Sequence, residues 1–431
     1  MKNGVQGRAS ARRPKNLRGN VWKFYVFKAF WGLSLGLVVP VLVLYFLARG
    51  FLLAEFMILM SVMNISLFAF EIPTGIIADR FSRKWSVCSG TLFLGISVLA
   101  MLGTVHFPLL ILIFLLWGVG ESLVSGADSA FLYDSLKAAG MEDAFQRIIG
   151  NAISLQLAAV VSGTLLCGIL VDQFGLSASL WASSISLLLA AMAAFLFEES
   201  PFLDEALTDD RRIPLAMQVS SYYGHLRESL QFVIHSREML ALIFINVVVL
   251  RLCFLTERPF SQPYLSSLGY DPEEISYLHT IFYGITALSA KYSHAVARLL
   301  GNRERNSLFL ISALGIVSLV AMVHSGVGSV VVSAIVGIYL MKGLFEPFMQ
   351  NSLNRRLDSA KRASCLSIAR MGNNFLGIFL GPLFGYLADV SSLKSSLSIF
   401  QWMFVLLLVV CTVSGWRMLG QAGGGEEADP E

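Results

Sequence analysis

Twelve stretches of this chain run for about 20 residues each with little or no charge, the length of helix needed to cross the hydrocarbon core of a bilayer. A segment buried in lipid has no water to satisfy its backbone, so runs of this kind fold as helices that bond internally. The first, Ala29 to Ala48, carries no charge at all. The others in the first half fall at 56–78, 85–106, 108–133, 148–171 and 176–197. Six more follow a polar interval, at 239–257, 275–297, 307–324, 327–350, 364–388 and 396–415. Composition agrees: 55% of the 431 residues are hydrophobic and only 14% charged, and the mean hydropathy is +0.68. The expected fold class is an all-α integral membrane protein with twelve transmembrane helices in two six-helix bundles. Arg8, Arg12, Arg13, Lys15 and Arg18 before the first run resemble the start of a signal peptide, but the run is too long and lacks a small-residue cleavage site.

Lys and Arg are retained on the cytoplasmic side of short membrane loops. With twelve spans, one set of ends holds 24 of the 32 Lys and Arg, the other holds three (Arg49, Arg258 and Lys394), and five lie within spans. Both termini are therefore expected in the cytoplasm, and the protein in the cell membrane. The domain boundaries follow: a basic N-terminus at 1–23, a six-helix bundle at 24–197, a linker at 198–238, a second bundle at 239–418 and an acidic tail at 419–431, expected to be disordered. In the linker, Val219, Tyr222, Tyr223, Leu226, Leu230 and Val233 recur at helical spacing, as in a helix lying on the membrane surface or packed against the loops. The five cysteines all lie within predicted spans and the six histidines are scattered, so neither a disulfide framework nor a metal site is implied. "GILVD", Gly168 to Asp172, ends the fifth span and "GYLAD", Gly385 to Asp389, ends the eleventh, as a parallel internal repeat of six helices requires.

Where the second span meets the basic side the chain reads "FEIPTGIIADRFSRKWSV". Arg80, Arg83 and Lys84 anchor this loop to that face; Asp79 has no such topological reason to be there, and Gly75 would let a neighbouring helix approach closely. "GIIADRFSRK", Gly75 to Lys84, resembles the signature loop of the major facilitator superfamily. The preceding "EIPT" and the later "SGADSAFLYDSL", Ser125 to Leu136, are similar to the bacterial drug and metabolite exporters of that superfamily. Ser82 stands where the family usually has glycine, and the corresponding loop of the second half, "AVARLLGNRER", has Arg298 in place of the acidic residue. The resemblance implies that Asp79 and Arg83 form a charged latch between the halves, made in the outward-open state and broken in the inward-open one. "GIFLGPLFG" places Gly377, Gly381 and Gly385 around Pro382, a helix able to bend or slide. It resembles the glycine-proline motif that antiporters of the superfamily carry in the fifth span, where this chain has "SGTLLCG" and no proline.

An ionisable side chain at a helix centre costs about 2.5–3.5 kcal/mol on insertion scales, so each one retained there points to function. The resemblance implies that the first, fourth, seventh and tenth spans line a central cavity. Glu121, Arg251 and Lys342 lie about halfway along the last three of these and are expected to meet. Glu121, Ser125 and Asp128 share one helix face, and Lys342 and Glu346 another. Trp31, Phe254 and Tyr339 supply aromatic surface for an organic molecule. Glu121 either carries a proton or serves as a fixed ion-pair partner; Asp128 and Glu71 are further candidates for proton coupling. Two cations against one anion favour a neutral, zwitterionic or anionic substrate over a purely cationic one.

No nucleotide-binding loop is present, so ion gradients are the expected drive. The reading is a secondary transporter, monomeric and non-enzymatic, without cofactor, metal or nucleic-acid partner. It exports a small organic compound in exchange for protons; import by proton symport and transport of an amphiphilic lipid remain open. A membrane enzyme or receptor would need a catalytic cluster or folded extramembrane domain that the sequence does not display.

Overall fold

The computed structural model describes residues 19–199, 224, 227–357 and 359–422. The basic N-terminal residues, most of the amphipathic linker pattern and the acidic tail lie outside these; of the linker helix, 227–235 is described and is helical. Twelve membrane-length helices account for most of the rest. In the first half they are α1 (Gly19–Val38, continued by Leu42–Ala48), α2 (Leu53–Arg80), α3 (Arg83–Leu102), α4 (Phe107–Val124, continued by Ala127–Ala138), α5 (Phe145–Phe174) and α6 (Leu176–Phe195). In the second they are α7 (Arg237–Leu255, continued by the π turn Thr256–Phe260 and by Ser261–Ser267), α8 (Pro272–Leu299), α9 (Glu304–His324), α10 (Gly328–Asn354), α11 (Ser359–Val390) and α12 (Leu393–Ala422).

Local chemistry sets the ends. The break in α1 falls at Pro40, which lacks the amide proton that the helix needs there. Ser82 caps α3 by accepting the Trp85 amide at 3.0 Å, so the serine that replaces the expected glycine gains a capping role. Pro272 occupies the first turn of α8, where its missing donor costs nothing. Among the described residues, ten of the helical segments are long and apolar enough to cross a membrane by length and composition; α8 and α11 fall outside that set. Both pack against the opposite half of the molecule rather than facing lipid on all sides.

Packing repeats with a period of six helices. α1 lies on α5 and α6 as α7 lies on α11 and α12; α2 packs on α4 as α8 packs on α10; α3 packs on α4 and α6 as α9 packs on α10 and α12. The halves meet along α2 with α11 and along α5 with α8, two interfaces that the same repeat interchanges. The "GILVD" and "GYLAD" copies therefore occupy matching places at the junction. Inside the first bundle, small residues permit close backbone approach. A Cβ at Gly90 would lie 2.6 Å from the Gly120 carbonyl oxygen, and one at Gly120 would lie 2.7 Å from that of Gly90.

Gly90→Val is expected to force α3 from α4 and destabilise the bundle by about 1–3 kcal/mol. Thermal unfolding of the purified protein in detergent checks this, and an unchanged midpoint would contradict the close packing.

Candidate functional site

The halves are sealed together on the face opposite the basic ends. Both Asp389 carboxylate oxygens accept backbone amides at the start of α2, Leu53 at 3.3 Å and Ala54 at 2.7 Å. Such bonds satisfy donors that a helix start leaves open, and the carboxylate also faces the positive end of the helix dipole. Gly385 makes the approach possible, since a Cβ there would sit 2.7 Å from the Ala54 Cα. At the mirrored junction Gly168 abuts the Tyr277 ring, and Cys167 Sγ lies 3.5 Å from Ser276 Oγ. Gln262 of α7 fills the break in α1, accepting the Val43 amide at 3.2 Å and donating to the Val39 carbonyl at 2.6 Å.

Beneath this seal lie two adjoining chambers of about 210 and 330 Å³, which share Trp31, Leu67, Glu121, Asn373 and Asn374. The deep chamber adds Ser34, Asn64, Trp117, Arg251, Phe254 and Arg258; the chamber nearer the basic face adds Lys28, Glu71, Ser125, Asp128 and Arg370. The fold thus brings together Trp31, Glu71, Glu121, Ser125, Asp128, Arg251 and Phe254. Helix α4 breaks at Gly126, whose φ of 79° suits glycine, yet Glu121, Ser125 and Asp128 still line one chamber. A separate cavity of about 600 Å³ is walled by α8, α9 and α10 with their connecting loop. Its described lining residues all belong to the second half.

Most chamber charges have partners. Lys28 and Asp128 pair at 2.6 Å. Arg370 of α11, its side chain 52% exposed, lies 3.8 Å from Glu71 of α2 and donates to Ser125 Oγ at 3.0 Å. Arg251 is 2% exposed and donates to Asn373, through Nε to the side-chain oxygen at 3.1 Å and through Nη2 to the backbone carbonyl. Gly377 leaves room for it: a Cβ there would lie 2.6 Å from Arg251 Nη2. Arg251 and Arg258 both lie over the Phe254 ring, at 4.9 and 5.1 Å from its centroid. Arg258 Nε is buried without a hydrogen-bond partner among the described residues.

The structure corrects several sequence expectations. Arg258, expected in an outer loop, lies within α7, because the helix passes Pro259 through a π turn and continues to Ser267. A π turn accommodates an interruption in the hydrogen-bond ladder that an α-helix would not, and such turns often mark functional sites. Lys342 does not meet Glu121. It donates to Glu257 at 3.2 Å, which also accepts the Tyr283 hydroxyl. Tyr339 stacks on Phe282 at 5.0 Å, Glu346 is exposed, and neither they nor Lys342 line the two chambers. A Cβ added at Gly75 would meet nothing within 4 Å among the described residues, so in this arrangement no helix approaches that glycine closely. The sequence reading also missed Arg258, Glu257, Asn64, Asn373 and Asn374. The spacing of Arg251, Phe254 and Arg258 on one helical face could have revealed Arg258, had the span not been ended before it.

At the basic face, Arg83 binds Asp79 at 3.0 Å and Asp134 at 2.5 Å. All three belong to the first half, and Asp79 is 70% exposed. Arg80 makes no ion pair among the described residues, and Lys84 lies over the Trp85 and Phe195 rings. The second half carries a counterpart of reversed sign: Arg356, just past α10, binds Glu304 of α9 at 2.8 Å and Glu238 of α7 at 2.6 Å. Burial opposes the Arg356 charge, but hydrogen bonds to Glu304 and Glu238 outweigh it and raise its pKa. Pro382 sits inside α11, which runs unbroken past it, and Gly381 seats the same helix against Met57 of α2.

Comparison with known proteins gives a consistent result. A family profile described as Major Facilitator Superfamily matches residues 27–341 and 259–422. An uncharacterized MFS-type transporter of Bacillus subtilis (strain 168) is 26% identical over 271 residues, a match spanning 62% of this chain and 63% of that relative. An uncharacterized transporter of Buchnera aphidicola subsp. Acyrthosiphon pisum (strain APS) is 26% identical over 354 residues, 75% of this chain and 77% of the relative. Among solved structures, a nucleoside transporter superposes with a TM-score of 0.72 at 15% identity, covering 92% of this chain and 98% of that one. A D-xylose-proton symporter gives 0.70 at 13% identity, covering 92% and 96%. At these identities the likeness of the solved structures is one of fold.

Asp389→Asn is expected to loosen the seal. Spin labels at Leu52 and Val390, measured by double electron-electron resonance, should show a larger population of long distances in the variant; an unchanged distribution would remove Asp389 from the closure.

Proposed function

Because the chain belongs to the major facilitator superfamily, we propose that it is a proton-coupled secondary transporter that moves a small organic compound by rocking its halves around the chamber at Glu121. The observation that carries this is the position of Glu121, which lines both chambers together with residues of α7 and α11 from the other half. Ionised, it offsets one of the two arginines opposite; protonated, it is neutral and leaves both uncompensated. Proton occupancy therefore changes the charge that a substrate meets. The same carboxylate held permanently as a counter-ion would only make the arginines tolerable and would tie no gradient to the movement of substrate. The seal at Asp389 and the chamber towards the basic ends correspond to an inward-open arrangement if the basic face is cytoplasmic, as its Lys and Arg content favours. In the opposite state the Asp79 and Arg83 cluster, with Gly75, Arg80 and Lys84, would meet the second half as a latch. One copy contains both halves of the cavity, so the monomer suffices, in the cell membrane.

Direction has two readings. The likeness of "EIPT" and "SGADSAFLYDSL" to drug and metabolite exporters favours export in exchange for protons. The excess of cations around Glu121 favours co-transport of proton and substrate, since protonation makes the chamber more attractive to an anion.

Growth of an efflux-deficient bacterial strain on a panel of toxic compounds of differing charge tests the proposal. Export should give resistance and import hypersensitivity to part of the panel, and Glu121→Gln at equal expression should abolish either shift. A shift that persists in Glu121→Gln overturns the proton role. Asp79→Asn should reduce the size of the shift without changing which compounds show it, since it perturbs the two states and not the chamber.

A further inference from the structure

We propose that the transported compound is a small organic monoanion whose carboxylate is held by Arg258, and that it crosses together with the proton on Glu121; this rests on the reading of the central chamber as the transport site. The two chambers are lined by four cations, Lys28, Arg251, Arg258 and Arg370, and three carboxylates, Glu71, Glu121 and Asp128. Lys28 is taken by Asp128 and Arg370 lies against Glu71. Behind Arg258, on α7 and α10, Glu257 is taken by Lys342. Glu121 thus faces two arginines, Arg251 and Arg258, with no ion pair to either within 4.0 Å among the described residues.

The two arginines are not equivalent. Arg251 is committed to Asn373 by two hydrogen bonds, whereas Arg258 offers a buried Nε with no acceptor among the described residues. A buried guanidinium nitrogen without a partner is costly, and a guanidinium of a half-buried side chain lining a chamber is matched in fork geometry by a carboxylate. The surroundings fit an organic body attached to that carboxylate: Trp31, Trp117 and Phe254 form apolar walls, and Asn374 supplies a neutral polar group. The deep chamber, about 210 Å³, is below the range of about 300–1,000 Å³ usual for drug-sized ligands and suits a small acid. When Glu121 is ionised it competes with the substrate for the arginine field; when it takes up a proton the competition ends. Proton and anion therefore bind together, and release of the proton from Glu121 expels the anion.

The test uses the purified full-length protein. Its thermal midpoint is measured with benzoate and cyclohexanecarboxylate, their primary amides, and benzylamine. The acids should stabilise it while the amides and the amine do not, and Arg258→Gln should weaken acid binding about tenfold or more, with Arg258→Lys between. In weakly buffered proteoliposomes, adding the binding acid outside should raise the external pH faster than in protein-free liposomes, where the rise reports passive entry of the neutral acid. Glu121→Gln should retain acid binding but lose this proton uptake. Equal stabilisation by acid and amide, stabilisation by no acid at millimolar concentration, or undiminished binding in Arg258→Gln overturns the anion site. Protein-dependent proton uptake, in excess of protein-free liposomes, that survives Glu121→Gln removes the coupling role of that residue while leaving the anion site standing, so the two readings fail separately.

Discussion

The cost of holding charge inside a membrane organises this protein. Each ion pair between spans brings together residues far apart in the chain and removes an expense of a few kcal/mol per unpaired charge. Lys28 reaches Asp128 across 100 residues, and Lys342 reaches Glu257 across 85. Both pairs lie within one half, where they tie helices of a bundle to one another. Arg370 with Glu71 is different, because it joins α11 to α2 across the boundary between the halves. Arg258 and Glu121 both line the deep chamber without an ion pair between them among the described residues, and the proposed transport site rests on that incompleteness.

The sixfold repeat is kept in packing more faithfully than in chemistry. The α2–α11 and α5–α8 junctions are interchanged by the repeat, and each has a glycine, Gly385 or Gly168, pressed against the partner helix. Only one copy closes with a carboxylate: Asp389 caps the start of α2, whereas Asp172, its counterpart, is exposed. At the basic face the arginine and carboxylate exchange places between halves, Arg83 with Asp134 in the first and Glu304 with Arg356 in the second. A reversed pair preserves the tie between the same two helices in each bundle, since attraction does not depend on which helix holds which sign. The difference matters where the bundles meet something other than themselves, at the seal and at the chamber.

The location of the spans, their number and their division into two sixes were legible because lipid imposes a length and an apolar composition on every crossing helix. The cost of a charge at mid-span also singled out Glu121 and Arg251, and both line the deep chamber. The end of the seventh span was misread for a physical reason: Pro259 and a pair of charges resemble a helix terminus, while a π turn carries the helix past them. Gly75 was given a packing role, and in this arrangement its surroundings are open. Lys342 was assigned to the cavity on its depth alone, and depth says nothing about which neighbour a side chain turns towards.

The sequence by itself determined an all-helical membrane protein of two matched halves, the side on which its basic residues gather, and a short set of charges that had to be accounted for. Tertiary structure alone decided how those charges are shared. Hydrophobic length is a local property of a segment and survives reading one residue after another, whereas an ion pair depends on helix rotation and on partners supplied from distant parts of the chain. The chamber arginine whose Nε has no partner among the described residues, and the carboxylate that shares its chamber, emerge only when the surrounding charges have been matched in space.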